Sequence, residues 1–438
     1  MKIRRLPVND AENGWSRILP PRLPRPALET DLKADWLVVG GGFAGLAAAR
    51  RLAENRPGDR IVLLEAHECG ENASGRNSGF AIDLPHTTSS SLDELDNAHK
   101  YMRLARAGIA SLKQQVDTHG IRCDWARDGK FHAAVTAEGA RSMLEPFATA
   151  LQALGEPWRW VEADELRDRL GTAHFDRAVF TPGCVLLNPA ALVRGLADTL
   201  PEQVTLCENT PVVAIDRANG VTATTPRGSA RAPRMIVAAN GFSENFGFLA
   251  NKFVHLALHA SLTRPLSEAE QRAYGVSATW GLTPANGFGG ITMRYTADRR
   301  ILIRQQIDVS MAQRVSPARL AALARRHKAL FDNRFPMLSD VTMAHTWTGY
   351  ICMSRNGAPA FGAVAPNVWA AACHNGIGVA KGTIAGVLAA DMASSQDNDL
   401  IGDMASLGFA CDLPPRPLVG LGARAKIALE IWKNRREA

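Results

Sequence analysis

Gly40, Gly42 and Gly45 stand at GxGxxG spacing within "DWLVVGGGFAGLAAARRLAENRPGDRIVLLEA", Asp35 to Ala66. Glycines at this spacing do a definite job around a pyrophosphate. The first permits a tight turn, the second lets the backbone approach the phosphates, and the third lets a helix pack closely on a strand. Phe43 and Ala44 fall between them, at the helix start that would face the phosphates. Glu65 follows 20 residues after Gly45, just before Ala66, where a carboxylate can accept hydrogen bonds from a ribose. An acid there, rather than an arginine, disfavours a 2′-phosphate. A polar, glycine-rich segment comes next, "ENASGRNSGFAIDLPH", Glu71 to His86.

Those residues need a βαβ unit to position them. "WLVV" reads as a buried parallel strand, "FAGLAAARRLAEN" as a helix and "RIVLLEA" as a second strand. After a second strand an NAD domain would proceed to a third, whereas this chain enters the loop. The loop suits a longer cofactor laid along it; an ordinary surface turn is the other reading of so many Ser, Gly and Asn residues.

A GxGxxG unit ending in Glu and followed by "SGRNSG" resembles the D-amino-acid oxidase (DAO) superfamily of FAD-dependent amine oxidoreductases, and within it the gamma-glutamylputrescine oxidase and sarcosine oxidase-like branch. Further matching segments lie in order: "LNPAALVRGLADTL", "NTPVVAID", "RMIVAANGF", "MRYTADRRILI", "WTGYICMSRNGAPAFG" and "HNGIGVAKGTIAGVLAADM". The resemblance implies an α/β fold: a Rossmann-like FAD-binding domain of the DAO type and a substrate domain of mostly antiparallel sheet plus helices. The implied division is an extended N-terminal arm over 1–29, FAD-binding segments at 30–88, 186–245 and 345–400, substrate-domain segments at 89–185 and 246–344, and a basic helical tail over 401–438.

The resemblance also assigns roles. Ser74, Gly75, Arg76, Asn77, Ser78 and Gly79 would run beside the isoalloxazine, Val212 would contact adenine, and Ala239, Asn240 and Gly241 would bring a strand end against the cofactor. Asn375, Gly376, Ile377, Gly378 and Val379 precede a helix-like run whose positive end would face the flavin C2 carbonyl and N1. The implied chemistry is hydride transfer from the carbon beside a primary or secondary amine to noncovalent FAD, an imine that hydrolyses, and reoxidation by oxygen or another acceptor. A 2-hydroxy-acid (C–O) dehydrogenase and a noncatalytic FAD-binding subunit remain open as alternatives. For the substrate site, Arg294 is the candidate partner of a carboxylate, with Tyr350, Trp347, Phe80 and His374 as pocket walls and Lys381 placed on an outer helix face.

Two departures bear on substrate. Where sarcosine-oxidase relatives carry carboxylate-binding basic residues, this chain has Ala380 in one place and the apolar Phe80, Ala81 and Ile82 in the other. A longer amine or an N-substituted amino compound is therefore expected ahead of a plain α-amino acid. Cys352, in a region where some relatives attach flavin, reads as a buried structural thiol.

Composition narrows the rest. The 438 residues allow a large core, with 46% hydrophobic residues and no apolar run long enough to span a bilayer. Seven scattered cysteines never at CxxC spacing fit reduced thiols, and no histidine pattern suggests a metal. With no apolar signal segment visible after the first residues, a cytoplasmic protein is expected. Of the net +7, residues 1–25 and 415–438 each supply six basic against two acidic residues, leaving the body near −1. A nucleic-acid groove across the body is disfavoured. The basic C-terminal helix, with Ile427, Ile431 and Trp432 on one face, would dock on its own protein, on a partner subunit or on a membrane surface.

Overall fold

The computed structural model describes the chain except Arg4, Asp10, residues 86–91, Asn286, Phe288, Asn434 and Ala438, and the side chains of residues 92–96 and of Pro417. His86, at the end of the expected flavin loop, lies outside the described residues.

The βαβ unit forms as its pattern dictates. Trp36–Val39 and Ile61–Leu64 are buried along their whole length, and so pair in parallel at the centre of a six-stranded sheet. Val204–Cys207 adds on one side, Arg234–Val237 and Val368–Ala372 on the other, and Ala360–Ala365 closes the edge antiparallel. Helix Phe43–Asn55 connects the two central strands. Helix Thr383–Ala393, rich in Ala and Gly, packs against it so closely that a Cβ on Gly386 would run into Ala44 O. Asp391, fully buried on that second helix, ties the pair by accepting hydrogen bonds from Arg51 Nε (2.6 Å) and Asn55 Nδ2 (2.8 Å).

The second large sheet has eight strands, antiparallel except where Trp280–Pro284 runs parallel to Lys130–Ala134. Helix Pro317–Arg334 packs on it, burying Leu320, Leu323 and Phe331. The strand Met343–Met353 belongs to this sheet, pairing from Met343 to Met353 with Val254–Thr263. The expected boundary at 345 thus falls inside the edge strand of the eight-stranded sheet. A ribbon of Phe80–Ala81 with Val185–Leu186 joins the flavin loop to the second sheet's side.

The N-terminal 29 residues form part of the body. Gly14–Arg17 is a helical turn with Trp15 buried against Trp347, ring centroids 6.5 Å apart. The Pro-rich stretch runs extended along the nucleotide domain, where Arg22 pairs with buried Glu208 at 2.8 Å and Leu28 N donates to Thr210 Oγ1. At the other end, helix Arg416–Lys433 buries Ile427 against Leu256 and Ile307 of the eight-stranded sheet, leaving Trp432 exposed. No helix among the described residues is long and apolar enough to cross a membrane.

Candidate active site

At the pyrophosphate turn Gly40 has φ +110°, and a Cβ there would lie 2.7 Å from Ala238 O. On Gly42 a Cβ would stand 2.5 Å from Ser74 Oγ, and on Gly45 it would run into Gly40 O. The first two glycines therefore let the turn close tightly on Ala238 and Ser74 at the edge of a cavity that both line, while the third lets helix meet strand. Glu65 is buried on the wall of that cavity. Its carboxylate accepts from Gly41 N (2.6 Å), His67 N (3.0 Å) and Asn72 Nδ2 (2.9 Å). Burial pushes its pKa up, opposed by these donors. Ala66, Val212, Ala239 and Gly241 line the same cavity.

A second cavity adjoins the first, sharing Gly42, Ser74, Arg76, Ala238, Asn240 and Tyr350 as walls. Together they make an elongated site between the two sheets. Phe43, Ala44, Asn77 and Ser78 line the second cavity from one side, and Gly376, Ile377, Gly378 and Val379 from another. The latter residues lead into the turn Gly378–Gly382 and helix Thr383–Ala393, whose positive end opens onto the cavity. A wall of three bare glycines, a buried carboxylate beside it and a helix end at the far cavity fit an extended dinucleotide such as FAD.

The flavin loop is held from four directions. Arg76 is buried; it donates through Nε to Glu71 O (2.6 Å), Nη1 to Thr348 O (3.2 Å) and Nη2 to Ala11 O (2.7 Å). Trp347 Nε1 donates to Arg76 O (3.0 Å) and Trp15 Nε1 to Asn77 O (2.8 Å). Asn13 Nδ2 reaches Gly70 O and Gly75 O, each at 3.0 Å. Gly75 and Gly79 serve this packing rather than the cavity wall, since a Cβ on either would collide with Gly70 O or with Arg294.

The expected substrate residues divide. Tyr350, Phe80 and His374 line the second cavity. Trp347 does not; it is fully buried beneath the loop against Trp15. Arg294, expected to meet a substrate carboxylate, is instead buried with Nη1 donating to Ser78 O (3.1 Å), Gly79 O (2.9 Å) and Leu187 O (2.7 Å). Its strand register points it at backbone carbonyls between the Trp15 and Phe80 rings, so it positions the flavin loop. Asn375 likewise turns its amide to Gly357 O and its carbonyl to Ser354 N, shaping a loop with φ +51°. Lys381 is buried rather than outward-facing. Its Nζ lies 5.1 Å from the Tyr101 ring centroid, and burial lowers it to about 8. Cys352 is buried with Sγ donating to Asn240 Oδ1 (3.3 Å) and does not line the cavity.

Sequence reasoning missed one residue that adds a second arginine, beside Arg76, to the wall of the second cavity. Arg304, on strand Ile301–Val309, pairs across the sheet with Ala260 and with Thr292, and all three line the cavity. Residues paired across strands share a face, so the register puts the guanidinium on the side facing the nucleotide domain. A bulge follows at once, where Leu258 pairs with Ile307 and Gln306 takes φ +75°. The Arg304 side chain makes no hydrogen bond or ion pair with any described residue, and its Nε is buried. Burial alone pulls it down to about 10, leaving it cationic at neutral pH. Among the described lining residues there is no Asp or Glu. Alternation in "RRILIRQQI" puts Arg304 on the face of buried Leu302, but does not show whether it meets protein or cavity.

His374 is buried, its Nδ1 has no partner among the described residues, and burial lowers it to about 3, so it is neutral at working pH.

The family model described as FAD dependent oxidoreductase (DAO) matches residues 35–392. The chain is 26% identical over 393 residues to the probable oxidoreductase OrdL of Haemophilus influenzae, covering 86% of each protein. It is 25% identical to gamma-glutamylputrescine oxidoreductase of Escherichia coli, covering 91% of this chain and 90% of that one. Among solved structures, glycine oxidase from Geobacillus kaustophilus superposes with TM-score 0.72 at 20% identity, covering 87% of this chain and all of that one. The chain belongs to the DAO family and is an FAD-dependent oxidoreductase.

Proposed function

We propose that this enzyme oxidises the carbon next to the nitrogen of a primary or secondary amine that also carries a carboxylate. The observation that carries the finer reading is Arg304, a cation on the wall of the second cavity with no partner among the described residues. A guanidinium fork matches a carboxylate with two charge-assisted hydrogen bonds. Bound FAD supplies the two-electron acceptor for the hydride that leaves the substrate carbon. The chain's residues would orient and desolvate the substrate. Arg304 fixes its acidic end, while Phe80, Tyr350, Ile351 and Leu258 wall off water. The positive charge of Arg304 and the absence of acids among the described lining residues disfavour an ammonium, so the amine is bound with its lone pair free. His374, neutral, can exchange a hydrogen bond with the substrate without adding charge. The carbon–hydrogen bond breaks with both electrons leaving, the nitrogen lone pair forms the C=N bond, and water then hydrolyses the imine to a carbonyl compound and an amine. Oxygen or another acceptor takes the electrons in turn.

The similarity to gamma-glutamylputrescine oxidoreductase supports an amine over an alcohol. The test is a matched pair: an N-methyl amino acid or gamma-glutamyl amine against the same amine lacking the carboxylate. The carboxylate-bearing partner is expected to show kcat/KM higher by about 100-fold, the worth of a desolvated charged pair. Equal or reversed preference sinks the carboxylate reading.

A further inference from the structure

The family match begins at residue 35, yet the residues before it reach the nucleotide cavity. Ile3, Leu6, Pro7 and Val8 line that cavity opposite Gly40, Glu65 and Val212. The segment is anchored at both domains. Met1–Ile3 adds to the edge of strand Ala214–Asp216: Ile215 N donates to Met1 O (2.9 Å), Ile3 N donates to Val213 O (2.9 Å), and Lys2 bridges to Ala214. Arg5 Nη1 donates to Met311 O (2.7 Å) beyond the eight-stranded sheet, and Pro7 O meets His67 Nε2 at 3.1 Å. Ile3 is buried in one apolar cluster with Val212, Leu28, Val237 and Phe246. Further along, Asn13 and Trp15 hold the flavin loop.

We infer that Met1–Ile3 and residues 5–9 form a strap that binds the adenine half of FAD, closing over the nucleotide cavity. Three features point the same way. Ile3 is buried and Pro7 and Val8 are half-buried in the cavity wall, with Leu6 lining its rim while still exposed. Its backbone is held by strand addition at Met1–Ile3 and again where Pro7 O meets His67 Nε2, while the Arg5 side chain reaches Met311 O, so the segment runs along the cavity. The wall it faces carries the residues expected at ribose and adenine, Glu65 and Val212, not the second cavity where the ring and the substrate would lie. A cofactor gripped this way cannot enter or leave past Ile3 and residues 5–8 unless the strap lifts. The inference rests on FAD as the cofactor and is independent of which substrate is oxidised.

The experiment compares the full chain with a variant lacking residues 2–9, each loaded either with FAD or with FMN, which lacks the adenosine half. Release is read from the return of flavin fluorescence. The truncated chain is expected to release FAD about tenfold faster, which about 60 Å² of lost apolar contact would supply, while FMN release is unchanged. Unchanged FAD release, or an equal change for FMN, overturns the strap. If the truncated chain does not fold, amide hydrogen exchange over residues 1–12 of the intact protein decides. Protection gained with FAD and not with FMN supports the inference; no gain with FAD refutes it. Failure of every amine to reduce the flavin would end the amine reading and leave these release rates untouched.

Discussion

Replacing Arg304 by Met should weaken carboxylate binding and stabilise the fold. In the free enzyme the guanidinium is half-buried, its Nε is out of water, and no described residue pairs with it. Its pKa, drawn down from the ordinary arginine value to about 10 by burial alone, marks a charged form that the folded state holds at a cost. A folded-state pKa depressed for a cation means that the charged side chain is disfavoured in the fold at pH 7. Removing it should therefore recover stability, of the order of 1–3 kcal/mol. A carboxylate meeting a guanidinium that has already lost much of its water gains two charge-assisted hydrogen bonds. Truncating one partner of such a buried pair costs about 3 kcal/mol, or roughly 150-fold in Kd. The assay is titration of the flavin-loaded protein with pentanoate, followed by the flavin absorbance shift, with pentanamide as the neutral control and thermal melts alongside. Arg304→Met should lose pentanoate binding, keep pentanamide binding and melt higher, with Arg304→Lys between. An unchanged pentanoate Kd accompanied by a lower melting temperature would refute the reasoning, because it would make Arg304 a structural residue.

Gly45→Ala should abolish FAD loading and cost more than about 3 kcal/mol, since the new methyl would occupy the space of Gly40 O; flavin content after purification and a denaturant melt check this. Asn13→Ala strips the donor from Gly70 O and Gly75 O and should destabilise the protein by about 1–3 kcal/mol, read in the same melt. Stability should also fall as pH drops below 6.5. His327 and His374 are held neutral, at about 4 and about 3 in the fold, whereas the unfolded chain takes up their protons near 6.5. Between those values the unfolded state binds more protons. Each group then removes about 2 kcal/mol between pH 6.5 and 5. Melts at pH 7 and pH 5 in the same salt measure the slope, and a flat profile contradicts it.

The nucleotide half of the site was legible because its chemistry is local. Gly40, Gly42, Gly45 and Glu65 sit within one βαβ unit, and the turn, the helix start and the strand end follow from spacing alone. The substrate half depends on which face of a long strand looks inward, and register fixes that only in three dimensions. Arg294 and Arg304 lie on neighbouring antiparallel strands, at similar distance from the flavin motifs in the sequence. One is drawn into a nest of three carbonyls and the other into an open cavity. Nothing in "MRYTADRRILIRQQI" separates those fates short of the pairing of Arg304 with Ala260 and Thr292. Lys381 was misplaced for a similar reason. The turn Gly378–Gly382 is wider than an α-helical turn, which rotates the lysine inward over Tyr101. The arm before residue 30 carries no motif, and its part in the site comes from tertiary contacts such as Trp15 on Trp347.

The central claim is that electrons leave the carbon beside an amine nitrogen. The most direct measurement is anaerobic mixing of the flavin-loaded protein with carboxylate-bearing secondary amines and, separately, with 2-hydroxy acids of the same length, recording flavin bleaching and the carbonyl product. Bleaching by an amine with one carbonyl released per flavin is the predicted result. Bleaching by a hydroxy acid with none by any amine would contradict it.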